Sequence, residues 1–388
     1  MAAVVITGRG VVSPLGGGVE EFFDALVAGT SGIADGVAAA DQFDPETVMT
    51  PKEARRADRF TQLAVGAAEQ AAAEADLANS ADPERIGVLM GTGIGGLDTL
   101  QSNCEAWIKG GDRAVSPLMV TMMMPNAAAG QIAMRLGVYG PGFSVSSACA
   151  TGTHAIGEAK RIIERDEADV VLAGGTEAAL VGLSLAAFGQ LGAMSPTGES
   201  CPFDVRRNGF VMGEGAGAFV LESEEHAKAR GATIYGRVLG YGASNDAFHI
   251  TQPHPEGKGA KLAIKAALKD AGISASEVGH VNAHGTSTEF DYVEAAAVAE
   301  MFGEATPVTS CKGAIGHLLG AAGAVEGIAA LESVRRGVIP PTVGLEQQDE
   351  RVRNDVVAGE ARQVPDLKIA LSNSFGFGGQ NACLVVAA

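Results

Sequence analysis

The chain has 388 residues, 46% hydrophobic, 19% charged and 5% aromatic, a globular composition long enough for two or three domains' worth of core. Its 28 basic and 46 acidic side chains give a net charge of −18, which argues against non-specific binding to nucleic acid or to an anionic membrane surface. Cys104, Cys149, Cys201, Cys311 and Cys383 stand far apart with no Cys-x-x-Cys pair, which speaks against a zinc knuckle or a disulfide framework and fits a reducing cytoplasm.

Val4–Thr7 reads as a strand, Gly8 to Gly18 as a glycine-rich turn and Glu20 to Ala28 as an amphipathic helix; residues 30–52 look irregular. The apolar run at residues 2–6 is too short for a signal-peptide core. A helix is expected over about Ala57–Ala75. Lys52, Arg55, Arg56 and Arg59 before it form the densest basic cluster, by themselves better read as a solvated helix start than as a binding patch. Strand Arg85–Met90 leads into Gly91-Thr-Gly93-Ile94-Gly95-Gly96, a dinucleotide-like spacing with Asp112 near the expected distance. That acid follows two glycines in a polar turn, not a second apolar strand, so these glycines are expected to pack backbone beside a pocket. Met119 to Met134, rich in Met and Ala and broken by Pro125, reads as a core or interface helix, with an adaptable pocket lining as the second reading.

Phe143 to Ser147 reads as a short buried strand, and from Thr151 the spacing of Ala155, Ile156, Ala159, Ile162 and Ile163 predicts a helix. Cys149 falls at the joint. Unpaired N–H groups and the helix dipole there favour thiolate, the nucleophilic form, although a small inert core cysteine is an equal reading of this stretch alone. Val170–Ala173 is a strand. Ala178 to Gly198 carries no charge, but its glycines and Pro196 make it buried soluble structure, not a membrane span. Gly213 to Glu222 is another strand. Near residue 235 the pattern restarts: strand Ile234–Gly240, helix Lys258–Ala271, strand Val278–Ala283, strand Pro307–Cys311 with helix Ala314–Arg335, then strand Ala382–Val386. Two similar β/α halves are expected, with mainly parallel sheets and a site where the halves meet.

His284 and His317 occupy comparable joints of the second half, each among glycines and small residues; His154, His226, His249, His254 and His280 lack that setting and are assigned to structure or surface. The closing run Ser372 to Gly379 has glycines that free backbone N–H groups, with Phe375 as a possible gate or simply as packing in a tight turn.

Taken together, Ser147-Ala-Cys149-Ala-Thr-Gly152, Asn282-Ala-His284-Gly-Thr286, Lys312-x4-His317-x2-Gly-Ala-Ala-Gly323 and Asn373-Ser-Phe-Gly-Phe-Gly-Gly379 resemble the β-ketoacyl-[acyl carrier protein] synthases. These are elongating condensing enzymes of thiolase fold, and the likeness, closest to the synthase II type, runs from Val4 to Val386. The resemblance implies a five-layer α-β-α-β-α arrangement of two duplicated halves, 1–233 and 234–388, with mixed, largely parallel sheets. It implies that Cys149 carries the acyl chain as a thioester while His284 and His317 promote decarboxylation of malonyl-carrier and stabilise the enolate. Backbone N–H groups of Cys149 and Phe375 would form the oxyanion hole, and Lys312 and Glu326 would balance charge and orient His317. Thr286 and Thr288 would bind the pantetheine arm; Ile94, Phe188, Phe210 and Phe377 would line the acyl pocket, with Met119 reaching in from a partner subunit. No cofactor is implied beyond a structural monovalent cation at Asn282, Glu294, Glu326, Ser372 and Asn373.

The expected partner is an acidic acyl carrier protein, docking on Lys52, Arg55, Arg56 and Arg59 with Arg206 and Arg207. The chain is expected to be cytoplasmic and to work as a homodimer, or as a heterodimer with a chain-length-factor-like sister lacking the cysteine. Three departures bear on the pathway: Glu289-Phe-Asp291 replaces a longer Pro-containing segment, residues 30–52 are short, and Gln380 stands where Thr is usual. They keep a type II polyketide or polyene ketosynthase beside fatty-acid elongation. An acetyl-CoA-priming synthase or thiolase, and a non-catalytic chain-length partner, are the alternatives; the two histidine motifs and the cysteine disfavour them.

Overall fold

The computed structural model describes residues 3–388. Strands Val4–Ser13 (β1), Ile86–Gly91 (β2), Gly142–Phe143 (β3), Val170–Glu177 (β4) and Gly215–Ser223 (β5) form one set. Gly236–Asn245 (β6), His280–Asn282 (β7), Pro307–Thr309 (β8), Ile369–Phe375 (β9) and Gln380–Ala387 (β10) form the other. The first set is ordered β1-β5-β4-β2-β3 and the second β6-β10-β9-β7-β8, so each runs first, fifth, fourth, second, third. The senses repeat too: in each set the first two pairings are antiparallel and the last two parallel. β1 and β6 join the sets through Val5 opposite Arg237 and Ile6 opposite Gly236.

The expectation of largely parallel sheets is corrected: the long ladders β1–β5, β4–β5, β6–β10 and β9–β10 are antiparallel. A tight turn over 376–379 returns β9 directly into β10, whereas a parallel neighbour needs a crossover of a dozen residues or more.

Helix Arg59–Glu74 (α1) covers the outer face of the first set and helix Lys258–Ala271 (α3) that of the second. Helices Thr151–Glu164 (α2) and Ala322–Arg336 (α4) lie between, each touching strands of both sets, which gives five layers. A helix in a central layer has no wet face, and every α4 residue from Ala322 to Val334 is buried, Glu326 and Glu332 included.

The glycine-rich opening is strand, not turn. A Cβ at Gly8 would lie 2.1 Å from Ala71 O and one at Gly10 1.9 Å from Ala67 O, so these glycines let α1 ride against β1. Gly240 and Gly242 meet Ala267 O and Ala263 O at 2.3 and 2.1 Å, the same device in the second half. Three further expectations change. The strand before Cys149 is only Gly142–Phe143 and is exposed, because β3 is a sheet edge. The helix expected over Ala314–Arg335 is broken: Lys312–Ile315 is one turn, Gly316 takes φ 65°, and α4 begins at Ala322, which leaves His317 in the gap. The uncharged stretch forms helix Gly182–Gln190, with Leu183 and Leu191 exposed rather than buried. Among the described residues, no helix is long and apolar enough to cross a membrane.

Candidate active site

Cys149, His284 and His317 converge from three loops at strand or helix ends. Cys149 lies in the 3-10 turn Ala148–Ala150 that leads into α2, and Ser147 N–H caps onto Thr151 Oγ1 at 2.9 Å. Within three residues of each stands a non-glycine residue with positive φ: Ala148 (φ 51°), Ser287 (φ 65°) and Leu319 (φ 47°). Such backbone costs about 1–3 kcal/mol per residue and persists only where surrounding packing enforces it. One ligating atom from each of Cys149, His284 and His317 lies within 4.8 Å of the other two. The two imidazoles meet edge to face with centroids 5.3 Å apart. They line a cavity of about 550 Å³ whose wall also includes Ile94, Phe188, Phe210, Thr286, Thr288, Phe375 and Phe377.

An aromatic series shapes this wall. Phe377 stacks on Phe188 at 6.5 Å, Phe188 meets Phe210 at 5.6 Å, and Phe210 sets its edge to His317 at 5.3 Å. On the other side Phe375 stands 5.9 Å from His284. Thr286 and Thr288 hydroxyls lie 3.1 Å apart, on a loop whose N–H groups at Thr286, Ser287 and Thr288 all donate to the buried Asp291 carboxylate. Met119 is half-buried in the helix Met119–Met123 and is absent from this wall.

Hydrogen-bond partners assign the imidazole tautomers. Leu319 N–H donates to His317 Nδ1 at 3.2 Å. Lys312 Nζ donates to His284 O at 2.6 Å and stands 3.4 Å from His284 Nδ1. Both Nδ1 atoms therefore act as acceptors, and each Nε2 carries a proton. Lys312 also pairs with Glu326, both fully buried, and the second Glu326 oxygen has no partner. Lys312 thus orients His284 and not His317 as expected; His317 is held by the Leu319 amide and the Phe210 ring.

Burial dominates the electrostatics. It holds His284 well below the ordinary imidazole range, helped by the Lys312 charge and by His317, and does the same to His317 with Lys312. Burial also pushes the Cys149 thiol up to about 11, against the Phe377 N–H and Lys312, which favour the thiolate. Cys149 therefore rests as a thiol, contrary to the helix-dipole expectation. A dipole contributes at most about 2 kcal/mol, and only in favourable geometry; the rise from 9.0 to about 11 is what remains after the Phe377 N–H and Lys312 have acted, so burial outweighs the groups that favour the thiolate.

Of the expected docking residues, Lys52, Arg55 and Arg56 are exposed. Arg59 instead bonds Glu214 and the carbonyls of Ala40 and Phe43. Arg206 is tied to Asp204 and Glu346, and Arg207 is buried on Asp349 and the Asp204 carbonyl. Arg59 and Arg207 are thereby held inside the fold, whereas Arg206 stays exposed at its ion pairs. The expected cation ligands already have partners. Glu294 accepts from the N–H groups of His284 and Gly285 and from Asn373, whose own oxygen takes Cys383 Sγ–H; Asn282 lies between Ser372 and Cys311. One Glu326 oxygen is buried without a partner and the other accepting oxygens keep a second lone pair, so the set can hold a monovalent cation, which the chemistry of the trio does not require.

Sequence reasoning missed Glu177, a fully buried carboxylate on the cavity wall. Its signal was available: the single charge on the apolar run Val170–Glu177, directly before the uncharged stretch.

Two family models match, beta-ketoacyl synthase N-terminal domain over residues 34–227 and beta-ketoacyl synthase C-terminal domain over 235–346. The chain is 43% identical over 416 residues to 3-oxoacyl-[acyl-carrier-protein] synthase 2 of Rhizobium meliloti (strain 1021), covering 100% of this chain and 99% of that one. It superposes on the ishigamide ketosynthase/chain length factor with TM-score 0.93 and 34% identity, covering 100% and 99% of the two chains. A type II PKS acyl-carrier protein in complex with its ketosynthase bound to the hexaketide matches at TM-score 0.91 and 32% identity, again over 100% and 99%. Four motifs in one cavity, a duplicated five-layer fold and likeness along the whole length lead to one statement: the chain belongs to the β-ketoacyl synthase family.

Proposed function

We propose that this chain condenses an acyl group, held as a thioester on Cys149, with malonyl-[acyl carrier protein], giving 3-oxoacyl-[acyl carrier protein] and CO2. The observation that carries this reading is one thiol and two imidazoles on the same cavity wall, with one nitrogen of each ring and the sulfur within 4.8 Å of one another. In the first half-reaction the Cys149 sulfur attacks the acyl thioester, the carrier C–S bond breaks, and the thiol proton ends on the carrier sulfur. In the second, the malonyl C–C bond breaks to release CO2, and its electron pair passes into an enolate whose oxygen accepts Nε2–H from His284 and His317. The enolate carbon attacks the acyl carbonyl, the C–S bond to Cys149 breaks, and a proton from solvent restores the thiol. Lys312 stays beneath His284, fixing its tautomer with Glu326 as counter-charge. Backbone N–H groups at Cys149 and Phe377, the two that face the Cys149 sulfur, hold the developing oxyanion in place of the Phe375 N–H first expected, and Thr286 and Thr288 face the pantetheine arm. Ile94, Phe188, Phe210 and Phe377 hold the acyl chain.

Carrier docking on Lys52, Arg55 and Arg56 follows from charge: they are exposed cations on a chain of charge −18. The subunit partner is a second chain of this fold, paired along the exposed edge strand β3, from where Met119 reaches the neighbouring pocket. Relatives named as synthase 2 favour the fatty-acid reading, which goes with a cytoplasmic homodimer as our proposal; the ketosynthase/chain-length-factor neighbour supports the heterodimeric alternative. The repeated strand order supports halves meeting at residues 233 and 234. Cys149→Ala is the test: loss of acyl transfer from acyl-carrier with fold and assembly mass unchanged is expected, and undiminished elongation refutes the assignment. Native mass of the assembly separates a self-pair from a sister-pair.

A further inference from the structure

The buried carboxylate of Glu177 has no part in the chemistry above, yet it touches both halves of the site. Its Oε1 accepts the Thr92 hydroxyl at 2.8 Å and Ile94 N–H at 3.3 Å; its Oε2 accepts Gly93 N–H at 2.8 Å and Gly320 N–H at 3.1 Å. Thr92, Gly93 and Ile94 belong to the acyl-pocket loop of the first half. Gly320 belongs to the turn that follows His317, and its neighbour Leu319 donates to His317 Nδ1. The two glycines, one from each half, close on the same carboxylate oxygen. A Cβ at Gly93 would lie 2.6 Å from Glu177 Oε2, and one at Gly320 would lie 2.8 Å from it and 2.4 Å from Gly93 N.

Resting on the condensing reading, we propose that Glu177 is a positioning residue: one carboxylate clamps the acyl-pocket loop to the histidine turn and thereby sets His317 and Ile94 relative to Cys149. Four donors converge on two oxygens, so only a group with acceptors alone fits. A carboxamide turns an N–H2 toward two of these donors and leaves them buried and unpaired. The clamp then opens by a fraction of an ångström, the scale on which misplaced groups cost about 100-fold in rate. The charge of Glu177 also raises the Cys149 thiol, so the clamp and the nucleophile are electrically coupled.

The test compares wild type, Glu177→Gln and Gly320→Ala, the second opening the same clamp from the other half without touching a charge. For both variants kcat for elongation is expected to fall 10- to 100-fold, with KM for malonyl-carrier within about threefold. The pH profile of Cys149 alkylation by iodoacetamide, which needs no substrate, is expected to move toward lower pH in Glu177→Gln and to stay in place in Gly320→Ala. Wild-type kcat in Gly320→Ala with correct folding by circular dichroism, or an alkylation profile unmoved in Glu177→Gln, overturns the proposal. If Glu177→Gln does not fold, Gly320→Ala decides alone through kcat. Wild type failing to elongate sinks the condensing reading instead, and the alkylation comparison still reads the coupling.

Discussion

Removing the Lys312 ammonium tests how this site is held. Lys312 and Glu326 are 1% and 0% exposed at their side chains, and Nζ also bonds the His284 carbonyl. Lys312→Met leaves a buried carboxylate without its counter-charge, a loss of about 3–5 kcal/mol, whereas replacing both members with apolar groups is often close to neutral. At roughly 2 °C per kcal/mol for a chain of this size, the single variant should melt about 6–10 °C below wild type. Lys312→Met/Glu326→Leu should recover most of that. Activity should not recover, because His284 lacks its Nδ1 donor in both; loss of such an orienting partner costs about 10–100-fold. Scanning calorimetry of wild type, both singles and the double, beside malonyl-carrier decarboxylation rates, gives the full cycle. A double variant as unstable as the single, or one that regains wild-type decarboxylation, refutes the argument.

Other outcomes follow from burial and packing. His280, His284 and His317 all bind protons more weakly folded than unfolded, with His280 lowered to about 3 by burial alone. Below about pH 6.5 the unfolded chain therefore holds more protons, and stability falls with acidity by about 1.4 kcal/mol per unit per imidazole while remaining intact above neutrality. Glu326, raised to about 7 by burial, acts with the opposite sign between pH 7 and 4.5, so the imidazole contribution is read as a difference: midpoints from pH 7.5 to 5 should fall less with acidity in His280→Asn than in wild type. Alkylation of Cys149 should rise about tenfold per pH unit between roughly 7 and 10, as expected of a thiolate fraction set by a thiol near 11; a rate already level by pH 8 contradicts the buried-thiol picture. Gly8→Val and Gly240→Val drive a branched side chain into Ala71 O and Ala267 O, and each should lower stability by at least the 1–3 kcal/mol typical of overpacking, read as a lower melting midpoint.

Much of the site was legible because its loops are written in short residue patterns. Cys149, His284 and His317 each stand between an element end and small residues, and the resemblance grouped them before any coordinates. What the sequence concealed was pairing across the fold. Arg207 looks like a surface cation beside Arg206, but the partner that buries it, Asp349, lies more than a hundred residues away. Lys312 sits five residues from His317 in the chain and yet serves His284: Gly316, at φ 65°, turns the backbone between them, and Nζ reaches the His284 carbonyl on the neighbouring loop. Gly8 and Gly10 look like a turn because glycine's two uses, positive φ and close approach, leave the same letter.

The same burial that conceals these partners determines the chemistry. A solvent-open thiol next to imidazoles would settle as an ion pair, with the histidine proton already committed. Here desolvation lowers both imidazoles and raises the thiol, so the resting trio is neutral and each Nε2 proton is free to be shared with an oxygen. The buried charges nearest the trio, Lys312 with Glu326, the clamped Glu177 and the Glu294 carboxylate on the His284 and Gly285 N–H groups, are fixed by hydrogen bonds and not aimed at the reacting atoms. An enolate formed at this position therefore meets donors that lose no ion pair in turning to it, which is the preorganisation that selectively stabilises developing charge. Any variant that brings water to Cys149, for instance by shrinking Phe210, should thus fail first in decarboxylation and only second in acyl transfer.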